Sequence, residues 1–531
     1  MKTGRLVKGL RAIATWACMT LAAPTLGAEL PAELPLVDAV EKGTAAAVAE
    51  MLAAGADPNA RLIDGGTPLH IAVLNDRSEI VAALLAAGAD AALANRNGVT
   101  PLWLAVQNGN VAITGALLAA GASANTRALT GETVLMAAAA LGRADVAELL
   151  IAHGAIIDAR DPEYRQTALM IAARAGGAEV IPVLVRHGAD VNAQTKLGPR
   201  PVFHPPCKGT GCGSEGVGIN RAGRPDRGER HPREGGMSAL LYAAREGFTD
   251  AARLLVEAGA NKELAEANGI TPLLMALLNN QLDVASLLLD RGAEVNVADF
   301  WGRTPLFASV DYRNLDMNST LEGEPTDNGV DRAPVLEMIV RLLGHGADVN
   351  ARTKEWPPQK TWLYALNDVS WVDVTGQTPF FRAALSGDTT TMRMLLEHGA
   401  DPNNPTYLGT TALMAAAGVN WTVDQTYTES PESLLEAVQL CLAHGADVNA
   451  ANSMGLTALL GAVNRGSNDI VRLLAEHGAR LDVVDAVGRT AMQWAEGVFL
   501  AAVGQEQKPE TIALLTELME ADGPAAGNQH D

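Results

Sequence analysis

The sequence predicts an all-α solenoid of about twelve helix–turn–helix repeats with short β-hairpin fingers and several loop insertions. Two observations predict it. A threonine or serine recurs as Thr67, Thr100, Thr133, Thr167, Ser238, Thr271, Thr304, Thr378, Thr411, Thr457 and Thr490, and most of the steps are 33 residues. In eight of these repeats a glycine follows 21 residues later, at Gly88, Gly121, Gly154, Gly188, Gly259, Gly292, Gly399 and Gly478. In two stretched repeats that glycine falls at Gly346 and Gly445.

Each mark has a physical reading. In Gly66-Thr67-Pro68-Leu69-His70-Ile71-Ala72, the threonine hydroxyl can cap a helix, and Pro68 occupies the first helical position, where a missing N–H costs nothing. The glycine after the second apolar run suits the left-handed residue that ends a helix. From that glycine to the next threonine is usually 12 residues, room for no more than a short finger.

This pattern resembles the ankyrin repeat family, with its helix–turn–helix period and T-P-L-H-x-A signature. The resemblance runs over residues 36–519. Thr67-Pro68-Leu69-His70 alone carries the tetrapeptide intact; the histidine position otherwise holds Trp103, Met136, Met170, Leu241, Leu274, Phe307, Phe381, Met414, Leu460 and Gln493. What the resemblance implies is a scaffold that binds a protein partner.

The 531 residues therefore form an array that grows in one dimension, about 100 Å long at 8–10 Å per helix layer. Abundant alanine and only 4% aromatic residues suit thin, closely packed helices. Residues 1–28 stand apart: Lys2, Arg5, Lys8 and Arg11 precede an apolar run at residues 12–23 and the small pair Gly27-Ala28. This reads as a secretory signal peptide, too short to span a bilayer, and implies a periplasmic or secreted protein. Cys18 invites a lipoprotein reading, but Thr15-Trp16-Ala17 matches a lipobox poorly. Removing four cations takes the formal charge from −21 to about −25, which argues against nucleic acid and anionic lipid as partners.

In chain order, residues 29–65 read as a capping repeat and 66–192 as regular repeats. Residues 193–235 form a Gly/Pro/Arg-rich insertion and 236–351 resume the repeats, opened at 311–332. Residues 352–375 form a Trp-rich insertion, and 376–496 are repeats again, opened at 419–431. Residues 497–520 form a capping helix, and 521–531 a disordered tail.

The first insertion carries His204, Cys207 and Cys212. In an oxidising compartment Cys207 and Cys212 most simply form a local disulfide; a redox-active pair or a metal site are the alternatives, though the spacing matches no common zinc pattern. Its glycines lack the Gly-Lys-Ser/Thr ending of a phosphate loop. The segment is also a basic loop on an acidic array. Trp356, Trp362, Tyr364 and Trp371 crowd the second insertion as interface anchors or a satellite core. Arg61, Arg96, Arg127, Arg160, Tyr164, Phe300, Trp301 and Tyr407 fall at finger tips and are further partner-binding candidates.

Six histidines in His-Gly-Ala triplets lie a repeat or more apart and read as helix-end residues rather than metal ligands. No catalytic constellation, cofactor site or metal site stands out. The expectation is a monomeric, non-enzymatic, exported scaffold for a protein partner. The alternatives are an accessory factor for an exported redox enzyme acting through Cys207/Cys212, and a secreted effector binding host proteins.

Overall fold

A computed structural model describes residues 35–198, 234–314, 332–354, 375–419, 430–498 and 507–521. The expected signal peptide, Cys18, His204, Cys207, Cys212, Trp356, Trp362, Tyr364, Trp371 and the tail beyond Ala521 lie outside these residues. Backbone contacts divide the chain into two units, Met1–Ala122 and Ser123–Asp531. The repeat spacing gives no sign of that boundary.

Among the described residues the N-terminal unit holds six helices in three pairs: α1 (Pro35–Lys42) with α2 (Ala45–Ala53), α3 (Pro68–Leu74) with α4 (Ser78–Ala86), and α5 (Pro101–Asn108) with α6 (Val111–Ala119). The C-terminal unit continues with α7 (Val134–Ala140), α8 (Ala144–Ala152), α9 (Ala168–Ala175), α10 (Val180–Arg186), α11 (Ala239–Glu246) and α12 (Thr249–Glu257). Next come α13 (Pro272–Leu278), α14 (Leu282–Asp290), α15 (Pro305–Arg313), α16 (Arg332–Gly344), α17 (Pro379–Ser386) and α18 (Thr389–Glu397). The last six are α19 (Ala412–Ala417), α20 (Pro431–Ala443), α21 (Ala458–Arg465), α22 (Asn468–Glu476), α23 (Ala491–Glu496) and α24 (Pro509–Ala521).

Within each unit the odd-numbered helices pack on one another as an inner layer and the even-numbered ones pack against them as an outer layer. The inner helices from α7 to α21 are buried nearly all round: every residue of α19, Ala412 to Ala417, is buried. Alanine there lets the layers approach closely. The outer helices bury one face, as Val146, Ala147 and Leu150 do in α8.

The threonines do what their spacing predicts. From Thr100 to Thr490 each hydroxyl oxygen accepts the backbone N–H three residues on at 3.2–3.4 Å, Ser238 included. Each such cap contributes about 1 kcal/mol. Thr67 differs. Its backbone N–H donates to His70 Nδ1 at 3.1 Å, which leaves the ring proton on Nε2 to donate to Val99 O at 3.0 Å. Where apolar residues replace this histidine, packing remains: Met136, Met170, Leu241, Leu274, Phe307, Phe381, Met414 and Leu460 are all buried.

The helix-ending glycines are required by backbone conformation and not by crowding. Gly399 has φ +86°, and nothing lies within 4 Å of where its Cβ would be. The histidines before these glycines cap the outer helices: His345, His398, His444 and His477 donate from Nδ1 to the carbonyl four residues back at 2.8 Å. Cys441 is buried, and burial pushes its thiol up to about 12.

The fingers are less regular than β-hairpins. Among the described residues they carry two isolated antiparallel bridges, Arg127–Thr133 and Val484–Thr490, and no longer strand. The reason is local. Side chains such as Asp299 and Asp485 take the finger's own amides in tight turns, so few pairs remain for a ladder within one finger.

Candidate protein-binding edge

The fingers bond to one another instead. In the C-terminal unit Lys196 N donates to Tyr164 O (2.9 Å), Phe300 N to Asn268 O (2.8 Å), Lys354 N to Trp301 O (2.8 Å), Tyr407 N to Thr375 O (3.0 Å), and Ala486 N to Met454 O (2.8 Å). These bonds join finger to finger across successive repeats. They satisfy tip backbone groups without using tip side chains, so the side chains are left pointing to solvent.

Large apolar side chains stand exposed along this edge among charged ones such as Glu163, Arg165 and Lys196. Leu129 is 78% exposed, and Tyr164, Leu197, Phe300, Tyr407 and Val487 are each about half exposed. Ile63 holds the corresponding place in the N-terminal unit. Arg352 stacks over the Tyr407 ring at 4.3 Å, and Phe300 meets Trp301 edge-on with ring centroids 5.6 Å apart. Glu163 beside Tyr164 raises its phenol above the ordinary value, which keeps the ring neutral.

The residues expected at the tips divide into two groups. Tyr164, Phe300, Tyr407 and Arg96 are exposed tip residues. Trp301 is only 4% exposed and packs beneath Phe300, with Arg303 over its ring at 5.2 Å. Three arginines act as struts. Arg61 donates to Gly65 O and Ala94 O, Arg127 to Gly131 O and Arg160 O, and Arg160 to Arg165 O and Gln194 O. Each guanidinium therefore joins its own finger to the next. The reading of single residues missed Leu129, Leu197 and Val487. Register reveals Leu129: it lies four residues before Thr133, as Ile63 does before Thr67, Phe300 before Thr304 and Tyr407 before Thr411.

Nearer the helices, where each finger leaves its outer helix, the repeats are stitched differently. Asn125 Nδ2 donates to Gly154 O at 2.9 Å while its Oδ1 accepts Ile156 N at 2.8 Å. Asn350 bridges Gly399 O and Asp401 N in the same way, and Asn449 bridges Gly478 O and Arg480 N. Asp158 stands at one such place and only accepts, from Asp190 N. In the N-terminal unit Asn59 makes the bridge to Gly88 O and Asp90 N, whereas Ala92, at the same place one repeat on, has no polar side-chain atom to offer.

A family model for ankyrin repeats matches residues 36–128, 116–195, 223–299, 240–325, 335–424 and 429–499, most of the sequence. The chain belongs to the ankyrin repeat family. Ankyrin repeats are generic protein–protein interaction modules, which gives the exposed finger edge of this ankyrin repeat protein its functional sense. No curated protein matches the chain. Among the described residues no group of three or more His, Cys, Asp or Glu side chains is placed to hold a metal ion, and no helix is long and apolar enough to cross a membrane.

Proposed function

We propose that this ankyrin repeat protein is an exported, non-enzymatic scaffold that binds a protein partner along the finger edge of its C-terminal unit. One observation carries the reading: Tyr164, Leu197, Phe300, Tyr407 and Val487 project from fingers whose backbones are already bonded to one another, and Leu129 projects from a finger that the Arg127 side chain ties to the next. Fixed tips lose little freedom on binding, and the aromatic ones belong to the side chains that dominate interface energetics. The basic and then apolar residues 1–28 support export.

Photo-crosslinking in intact cells tests it. A benzoylphenylalanine at position 129, 197 or 487 should capture one protein, while the same probe at Asp145 or Asp250 on the outer helices should not. Equal capture from both faces, or none from the finger edge, would overturn the assignment. Fractionation of the same cells tests the address: the processed chain should leave the cytoplasm.

A further inference from the structure

Most helix pairs of the array are fixed by their own short turn, often with a left-handed glycine: Gly176 between α9 and α10, Gly247 between α11 and α12, Gly387 between α17 and α18, Gly466 between α21 and α22. The pair α15 and α16 has no such turn. Arg313 stands nine residues after Thr304, where Gly387 stands after Thr378, and residues 315–331 separate the two helices. Something else must hold α15 and α16 in register.

The next repeat supplies it. Asp388, wholly buried, is the residue before α18. Its Oδ2 accepts Arg313 Nε at 2.9 Å and Asn314 Nδ2 at 3.2 Å from the end of α15, and lies 3.3 Å from Arg332 Nη2 at the start of α16. Arg313 Nη1 also donates to Arg332 O at 2.6 Å, joining the two roots directly. A second tie runs from α17: Arg382 Nε donates to Asp311 Oδ1 at 2.6 Å and Nη2 to Asn314 O at 2.7 Å. Asp388 meanwhile caps its own helix, accepting Thr391 N at 3.2 Å and the Thr391 hydroxyl at 2.7 Å.

Buried ion pairs are a costly way to gain stability, since apolar side chains of similar volume often do as well, and they are best understood where geometry must be specified. We propose that Asp388 is a latch which replaces the missing turn of the preceding repeat, so that the α15–α16 pair is ordered by the repeat that follows it. Order in this part of the array then depends on the next repeat being folded, and the long insertion is carried without loosening the helices that bear it. Burial alone pushes the Asp388 carboxyl up, but Arg313, Thr391 and Arg332 outweigh it and hold it below the ordinary value, so the latch stays ionised at neutral pH.

Hydrogen–deuterium exchange on the full chain tests this, with Asp388→Asn as the main variant. Exchange in residues 305–314 and 332–344 should rise on the order of tenfold or more, while α11 to α14 stay unchanged. In a second chain, residues 313–331 are replaced by a short glycine-containing turn. There Asp388→Asn should loosen α18 alone, because α15 and α16 have regained their own turn. Should Asp388→Asn fail to fold, Arg332→Met keeps the α18 cap and should raise exchange in 332–344. Exchange that rises only in α17 and α18, that rises equally across all repeats, or that responds identically in the short-turn chain would overturn the proposal.

Discussion

The finger tips and the finger roots of the C-terminal unit, where the fingers leave the outer helices, both join each repeat to the next, but they spend different groups on it. At the fingers, backbone bonds to backbone and arginine struts bond to carbonyls, so the tip side chains Leu129, Phe300 and Tyr407 are left free. At the roots the side chains themselves are the connectors: Asn125, Asn350 and Asn449 each use amide oxygen and nitrogen on the neighbouring repeat. The tips are thereby available for recognition and the roots are committed to stability. The two functions separate because a side chain already bridging two repeats has no capacity left for a partner.

That separation can be broken most sharply at the tips. The combined variant Tyr164→Ser, Phe300→Ser, Tyr407→Ser should weaken partner binding by more than about a hundredfold, measured by calorimetry with the captured protein. Its melting temperature should move little, since these rings are about half exposed. Loss of folding with retained affinity would reverse the roles assigned to tips and roots. Asn350→Ala should do the opposite, lowering stability by about 1–3 kcal/mol in denaturant titration while affinity is unchanged, because Asp401 N and Gly399 O lose their partner.

Smaller effects sharpen the picture. Gly399→Ala should cost about 1–2 kcal/mol in the same titration although space is open around it, since the penalty comes from φ +86°. Asp158→Asn should stabilise by about 0.5–1 kcal/mol in thermal melts, by adding a donor at a place where the carboxylate only accepts.

The smallest effect lies in the N-terminal unit. Burial holds the His70 imidazole below its usual 6.5, against the opposing pull of its bond to Val99 and of Asp64. As pH falls through that usual value the unfolded chain takes up a proton that the folded one refuses. Stability therefore drops until the folded value is passed, then levels. Melts at about pH 7.5 and about pH 5.5 should show this drop, and His70→Leu should abolish it.

Much of the fold was legible because capping and helix-ending are local chemistry. Thr67 to Thr490 and their partner glycines mark nearly every helix pair through the N-cap hydroxyl and the left-handed φ. The binding edge was legible only in part. Tyr164, Phe300 and Tyr407 announce themselves as aromatic residues in finger loops, whereas Leu129 and Val487 look like ordinary apolar loop residues until their place in the finger register is known. Trp301 went the other way: a finger tryptophan beside Phe300 that the turn around Asp299 folds inward.

By itself the sequence determined the repeat, its all-α class, the acidic balance and the places where insertions interrupt it, since each follows from residue type and spacing along the chain. Only the tertiary structure decided which finger residues face solvent, which arginines are struts, and that Asp388 orders a helix pair 75 residues before it in sequence as the partner of Arg313. Those depend on which groups from successive repeats meet, and a hydrogen bond or ion pair between distant residues leaves no periodic trace in either partner.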